Sequence, residues 1–328
     1  MTVKIGYAAM LEQFHPSEAL ALCAIAEANG FDGVMASDHL QPWVPQQGQS
    51  AFVWSFMAAA AERTKGDIGP GVTCPSFRTH PVIIAQAAAT MAAMYPGRFW
   101  LGLGSGEAIN EHVVAGYWPE TVERSHRMFE AVAFMKQLFT GKETRHQGPN
   151  FKIESVRLWT MPEVPPPIYI ATAGPITAKR VGMLADGLIT VGAPVEKVAH
   201  ILKCYADGCV KAGKSVAQSR KILQLHLSWA ATDEEARHNA LLEWPNGGMK
   251  FPKQDIRSPL DFEQMAKMVR AEDFDGRMLM TADCEVHRKE IQKFIDLGFD
   301  QIYLHNVGRN QREWIETFGR EVLPALRG

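Results

Sequence analysis

The sequence predicts an α/β fold, a closed parallel (β/α)8 barrel, on three observations. Short apolar runs alternate with helical stretches along the whole chain, the pattern of a parallel sheet. There are eight such runs, each followed by a helix, which favours a ring over an open sheet. The chain has 328 residues, a length such barrels reach within one domain. We expect a single domain over residues 1–328, with loop insertions near 141–160 and 244–275.

The first strand spans residues 3–8, and Glu12 lies in the loop after it. A helix follows from Pro16 to about residue 29, where Gly30 supplies a left-handed stop. The second strand starts at Gly33 and ends at Asp38. A loop rich in Gln and Gly leads to an apolar helix over 51–61. Residues 67–74 make the third strand, closed by Pro75. Pro81 then sits in the first turn of the next helix, residues 82–94. That helix is apolar on nearly every face and is expected to lie between the barrel and another segment or subunit. The fourth strand, 99–104, runs straight into Ser105-Gly106-Glu107.

A helix covers about 122–138, and residues 141–159 break the rhythm as a hairpin insertion. Pro165-Pro166-Pro167 introduces the fifth strand, 168–172, and Ala173-Gly174-Pro175 turns into a helix. Residues 187–191 are the sixth strand, 196–212 a helix, 222–230 the seventh strand and 233–242 a helix. From 244 to 275 the pattern loosens around Asn246-Gly247-Gly248 and Pro252, with a helix near 261–270. A helix over 285–297, the last strand over 300–306 and a closing helix over 311–323 complete the ring.

The composition, 46% hydrophobic and 21% charged, supports a large core. A net charge of −2 without a basic stripe argues against nucleic acid as a partner. Cys23, Cys74, Cys204, Cys209 and Cys284 are scattered, with no Cys-x-x-Cys pair, which argues against a disulfide framework or zinc cage and suits a reducing cytoplasm. The N-terminus shows no secretory pattern, and no apolar run approaches the ~18 residues of a membrane span. The histidines show no metal-ligand spacing within a helix, so no metal site is expected.

In such a barrel the site lies where strands end and loops begin. Ser37-Asp38-His39-Leu40-Gln41-Pro42-Trp43 falls there. An imidazole on that rim can move a proton near neutral pH. The carboxylate beside it can orient a partner, and the indole four residues on can wall a flat ligand. The same residues also suit an ordinary turn. Glu12, Thr73-Cys74, Ser105-Gly106-Glu107, Thr172-Ala173-Gly174 and Val191-Gly192 converge on the same rim, which packing alone does not explain. Glu12 and Glu107 are carboxylates that can share or pass protons. Gly102-Leu103-Gly104-Ser105-Gly106 lacks the Gly-x-Gly-x-x-Gly spacing of a dinucleotide fingerprint. Its glycines instead let backbone N–H groups approach a phosphate or flat ring.

These residues, with Leu11-Glu12-Gln13-Phe14, Thr73-Cys74-Pro75-Ser76-Phe77-Arg78, residues 85–91, Tyr95-Pro96-Gly97-Arg98 and Gly104-Ser105-Gly106-Glu107-Ala108-Ile109-Asn110-Glu111, resemble the luciferase-like dehydrogenases that use coenzyme F420. The resemblance covers essentially the whole chain. It implies a barrel of the bacterial luciferase-like type, a homodimer, and hydride transfer between a carbinol carbon and C5 of the deazaflavin. It casts His39 as the general base, Trp43 as a stacking wall, Glu107 as the acid at the pyrimidine end of the coenzyme, and Glu12 as a supporting partner. It also implies coenzyme contacts at Asp38, Gly71, Val72, Cys74, Ser105, Gly106, Asn110, Ala171, Thr172, Ala173 and Gly174, with a cis peptide at Gly71–Val72.

Substrate is where the sequence departs. The sugar-phosphate members of that family hold phosphate with a Thr and a Lys after the sixth strand, where this chain has Val191 and Pro194. Lys253 and Arg277 match the rest of that clamp. Losing two charge-assisted contacts costs several kcal/mol, at ~1.5–3 each. The expected substrate is therefore an uncharged alcohol, with a sugar 6-phosphate as the alternative. An FMN-dependent luciferase-like monooxygenase and a deazaflavin-binding protein without turnover are the other readings.

Overall fold

A computed structural model describes residues 3–327. The chain opens with β1 (Lys4–Ala9), α1 (Pro16–Ala28), β2 (Gly33–Ala36), α2 (Val53–Arg63), β3 (Asp67–Pro70), α3 (Pro81–Met94) and β4 (Leu101–Leu103). Two helices, α4 (Ala108–Ala115) and α5 (Thr121–Leu138), lead to a hairpin of β5 (Thr144–Gln147) and β6 (Lys152–Val156). The alternation resumes with β7 (Ile168–Ala171), α6 (Pro175–Leu184), β8 (Gly187–Val191), α7 (Val195–Lys211), β9 (Arg220–Ser228) and α8 (Asp233–Glu243). After a loop carrying α9 (Pro259–Ala266) and the short β10 (Leu279–Met280) come α10 (Cys284–Asp296), β11 (Gln301–Asn306), α11 (Gln311–Glu321) and α12 (Leu323–Leu326).

The strands run in the order β3-β2-β1-β11-β9-β8-β7-β4, every pair parallel. Bridges Ile68↔Phe99 and Thr73↔Leu103 join β3 to β4 and close the ring. Side chains alternate along each strand. Ala8, Met35, Trp100, Tyr169, Ile189, Ile222 and Tyr303 fill the interior. Gly69 makes room for one of them, because a Cβ there would lie 2.3 Å from Trp100 Cδ2. The opposite faces, among them Ile5, Val34, Ile68, Leu103, Leu188, Leu223 and Leu304, pack against the surrounding helices. Each such side chain, fully buried, adds roughly 1.5–3 kcal/mol. A further apolar cluster, including Met10, Trp43, Trp244, Phe262 and Phe274, sits over the C-terminal mouth and walls the site.

The eight barrel strands match the expected ones, with shorter ends. β2 stops at Ala36 rather than Asp38, and β3 at Pro70, which has no ladder N–H to give. The Gly71–Val72 peptide that follows is cis. The 141–159 insertion is an antiparallel hairpin. Glu130 on α5 anchors it, accepting from His146 Nε2 at 2.8 Å, Asn150 Nδ2 at 2.5 Å and the Phe151 amide at 3.1 Å.

Two elements escaped the sequence reading. One is α4, bracketed by Gly106 and Gly116 in left-handed conformations (φ 80° and 72°) and too short for a clear apolar period. The other is β10, two residues pairing with the end of β9. The apolar α3 buries Ile84, Ala85, Ala88, Ala89 and Met91, while Ile83 and Met94 stay about half exposed on its outer side.

Candidate active site

Four loops at the C-terminal mouth build the site. Glu12 follows β1 and is fully buried. Ser37 follows β2 and fixes it: Ser37 Oγ donates to Glu12 Oε2 at 2.5 Å and accepts from the Leu11 amide at 2.9 Å. The other carboxylate oxygen, Glu12 Oε1, has no hydrogen-bond partner. It lies 3.6 Å from His39 Nε2. Glu107, at the start of α4, places Oε2 at 3.8 Å from the same nitrogen. His39 thus points one ring nitrogen between two carboxylates.

The far side of the His39 ring is held by the chain. Nδ1 lies 3.2 Å from the Gln41 carbonyl and 3.2 Å from Asn110 Nδ2. Asn110, in the first turn of α4, accepts from the Leu40 and Gln41 amides through Oδ1. Its amide therefore ties α4 to the His39 loop. The Trp43 ring lies 4.8 Å from that of His39 and packs edge-on against Phe262 and Trp244.

The charges nearby are unequal in their surroundings. Burial pushes the Glu107 carboxyl up, while His39 and Lys253 pull it down and Glu12 raises it again. Burial likewise lowers the Lys253 ammonium, which Glu107 partly restores and Arg277 lowers further. Lys253 reaches this place from the loop after α8, donating to the Asn246 carbonyl at 2.5 Å. Arg277 is exposed and donates to the Met249 carbonyl at 3.2 Å.

Asp38 does not orient His39, although the sequence places the two side by side. Its carboxylate turns away, accepting from Thr73 Oγ1 at 2.5 Å and from Arg78 Nη2 at 2.7 Å. Arg78 also pairs with buried Glu111. This network underpins the turns after β2 and β3. Cys74 is buried beneath Gly106, where a Cβ would meet its sulfur at 2.6 Å. Burial first, and then Glu111, push the Cys74 thiol well up.

Val72 and Ala171 rest on top of the interior cluster and give the mouth a small apolar floor. Ser105 and Gly106 are partly open, and Thr172 Oγ1 accepts from the Gly174 amide at 3.1 Å beside exposed Ala173. Val191 stands 40% exposed at the end of β8, an apolar residue on a rim otherwise rich in polar groups.

Sequence reading missed a buried histidine pair. His226 on β9 and His305 on β11 are in register and join through Nδ1 to Nδ1 at 2.8 Å. The Trp244 ring lies 4.9 Å from that of His226 and 4.8 Å from that of His305. The available signal was a polar residue at an inward position of two apolar strands.

The whole architecture has relatives. The profile of the Luciferase-like monooxygenase family matches residues 2–301. An F420-dependent glucose-6-phosphate dehydrogenase of Rhodococcus jostii (strain RHA1) is 36% identical, the alignment covering 100% of this chain and 99% of that protein. The solved structure of an F420-dependent secondary alcohol dehydrogenase in complex with an F420-acetone adduct superposes with a TM-score of 0.94 at 33% identity, covering 100% of both chains. The coenzyme F420-dependent tetrahydromethanopterin reductase of Methanopyrus kandleri shares the fold, with a TM-score of 0.82 at 20% identity over 99% of this chain and 100% of that one. The chain belongs to the luciferase-like family and, within it, to the F420-dependent dehydrogenases.

Proposed function

We propose that the chain oxidises the carbinol carbon of an uncharged alcohol with coenzyme F420 as hydride acceptor. The observation that carries this reading is His39 Nε2 held between Glu12 and Glu107 at a walled barrel mouth.

The residues present suit the coenzyme. Val72 and Ala171 offer a flat apolar floor, and small residues at Gly104, Gly106 and Gly174 leave room beside it. Gly71, Val72, Cys74, Ser105, Gly106, Asn110 and Ala171 to Gly174 would line the coenzyme, with Asp38 acting through Thr73 and Arg78. When bound, the deazaflavin supplies the acceptor for the hydride.

The protein handles the proton. With Nδ1–H donating to the Gln41 carbonyl, Nε2 is bare and can take the substrate hydroxyl proton. The imidazolium then faces the free oxygen of Glu12 and the carboxylate of Glu107, which stabilise its charge. Trp43 and Trp244 exclude water and so strengthen these interactions. The substrate C–H bond breaks with its electron pair leaving as hydride, the O–H bond breaks toward His39, and a carbonyl forms.

Val191 and Pro194 offer no donor where a phosphate would need one, which supports an uncharged substrate. Lys253 beside Glu107, with Arg277 near it, supports a second reading, a sugar 6-phosphate, as in the Rhodococcus relative. The whole chain acts as one catalytic domain. Half-exposed Ile83 and Met94 on α3 support a homodimer. Among the described residues no helix is long and apolar enough to cross a membrane, and the five free cysteines suit a cytoplasmic setting.

The test mixes protein with oxidised F420 and follows its visible absorbance. Bleaching with propan-2-ol but not glucose 6-phosphate supports the first reading. Bleaching with glucose 6-phosphate alone supports the second. No bleaching with either contradicts both.

A further inference from the structure

The buried pair of His226 and His305 has a proton arrangement that can be counted from one end. Arg309 Nε donates to Glu243 Oε1 at 2.8 Å, which fixes the Glu243 carboxylate. Gln13 Nε2 donates to the Val307 carbonyl at 2.8 Å and to Glu243 Oε2 at 3.3 Å. Two acceptors therefore determine which end of the Gln13 amide is nitrogen. Its carbonyl Oε1 is left facing His305 Nε2 at 3.5 Å. A bare nitrogen there would set two lone pairs against each other in a buried site, so His305 carries its proton on Nε2.

Both histidines are neutral. Burial, with Lys253 near His226 and His226 near His305, drives His226 down to about 3 and His305 well below its ordinary value. A neutral ring protonated on Nε2 has a bare Nδ1. His305 Nδ1 must then accept the 2.8 Å bond from His226, whose own proton sits on Nδ1. One nitrogen remains, His226 Nε2, and it carries a lone pair.

That nitrogen has no hydrogen-bond partner among the described residues and is not sealed in. His226 lines a cavity of about 340 Å³ together with Pro194, Arg277 and Met278. Lys253, the cation nearest it, donates to the Asn246 carbonyl. An accessible acceptor on a rim that also holds Lys253 and Arg277 calls for a donor from the ligand. The walls between it and His39 are Trp244 and Trp43.

We infer that His226 is a specificity-determining residue whose bare Nε2 accepts a hydrogen bond from a second hydroxyl of the substrate, so that hydroxylated alcohols are preferred over monohydric ones. This rests on the dehydrogenase reading above. A buried acceptor left unpaired penalises the analogue that lacks the donor, so the preference is expected to be at least about tenfold.

Two measurements test it. Nitrogen-15 histidine spectra of the whole chain, without coenzyme, should show His226 with a bare Nε2 and a protonated Nδ1 throughout pH 6–9. A protonated Nε2 would overturn the inference. F420 reduction is then followed with pentan-2-ol and with pentanediols that add a hydroxyl at carbon 3, 4 or 5. In the wild type at least one diol should exceed pentan-2-ol about tenfold in kcat/KM. His226→Leu should bring that ratio toward one, and His226→Gln, which keeps an acceptor near the same place, should restore part of it. Equal use of all four alcohols, or a ratio that survives His226→Leu, would overturn it. If no alcohol reduces F420 the dehydrogenase reading fails, and the inferred selectivity fails with it, whereas a bare Nε2 would show the proton count itself to be right.

Discussion

His39 Nε2 stands 3.6 Å from Glu12 Oε1, a fully buried oxygen with no other hydrogen-bond partner. An unpaired carboxylate oxygen inside a protein is costly unless something charged comes to meet it. An imidazolium formed during turnover would do so. The arrangement is therefore better suited to the charged intermediate stage than to the resting enzyme, which is what a general base requires.

Replacing Glu12 tests this directly. Glu12→Gln preserves the shape and the acceptor for Ser37 but removes the charge. We expect kcat to fall about 10- to 100-fold, the loss of one charge interaction of about 1.4–2.7 kcal/mol. Coenzyme affinity, measured by fluorescence titration, should stay within about threefold.

His39→Ala removes the base itself. General-base catalysis contributes about 10²- to 10⁴-fold, so alcohol turnover should fall by that factor. Unchanged turnover with a good substrate would leave the carboxylate pair without a role.

Arg277 separates the two substrate readings. It is exposed and its one hydrogen bond is to the Met249 carbonyl, so its loss disturbs little of the fold. On the uncharged-alcohol reading Arg277→Ala changes kcat/KM for propan-2-ol by less than about threefold. On the sugar-phosphate reading the same change abolishes a charge-assisted contact and costs glucose 6-phosphate about 10- to 100-fold.

The buried histidines give the protein an acid-side liability. His226 is held at about 3 in the folded state, against an unfolded value near 6.5. The unfolded chain thus binds the extra proton between those values, and stability falls as pH drops from 6.5 toward 3. From pH 7 to pH 5 this one group removes on the order of 2 kcal/mol. Urea unfolding of the wild type and of His226→Gln at both pH values should show the variant losing less.

Glu130 has the opposite sign. Burial pushes its carboxyl up, but the bonds from His146, Asn150 and Phe151 outweigh that and hold it below its ordinary value. Its contribution is present above about pH 4.5 and is lost as pH falls through the lower folded value. Glu130→Ala should free the β5–β6 hairpin, lowering stability by about 1–3 kcal/mol at pH 7, with the gap from wild type closing below pH 4. Limited proteolysis between α5 and β7 reads the same change.

The barrel was legible because each strand is a short apolar run bounded by Gly or Pro, and the ring follows from counting them. The rim positions of Glu12, His39 and Glu107 followed from strand ends alone. What escaped was whatever depends on side-chain direction. Asp38 is adjacent to His39 in sequence yet faces Thr73 and Arg78, because consecutive residues beyond a strand point opposite ways. The carboxylates that meet His39 come from 27 residues before it and 68 after it, a pairing no local pattern contains. His226 and His305 hid for the same reason: the link between them exists only through the register of β9 with β11. The helix α4 was lost to its brevity, and with it the clamp of Asn110 on the His39 loop.

The central claim is that hydride leaves the carbinol carbon directly while His39 takes only the hydroxyl proton. Single-turnover reduction of F420 with propan-2-ol deuterated at carbon 2 tests it most directly. The account predicts a slowed reaction, with the deuterium recovered in the reduced coenzyme and none in water. Deuterium washed out into solvent would contradict it, since that label would have travelled as a proton.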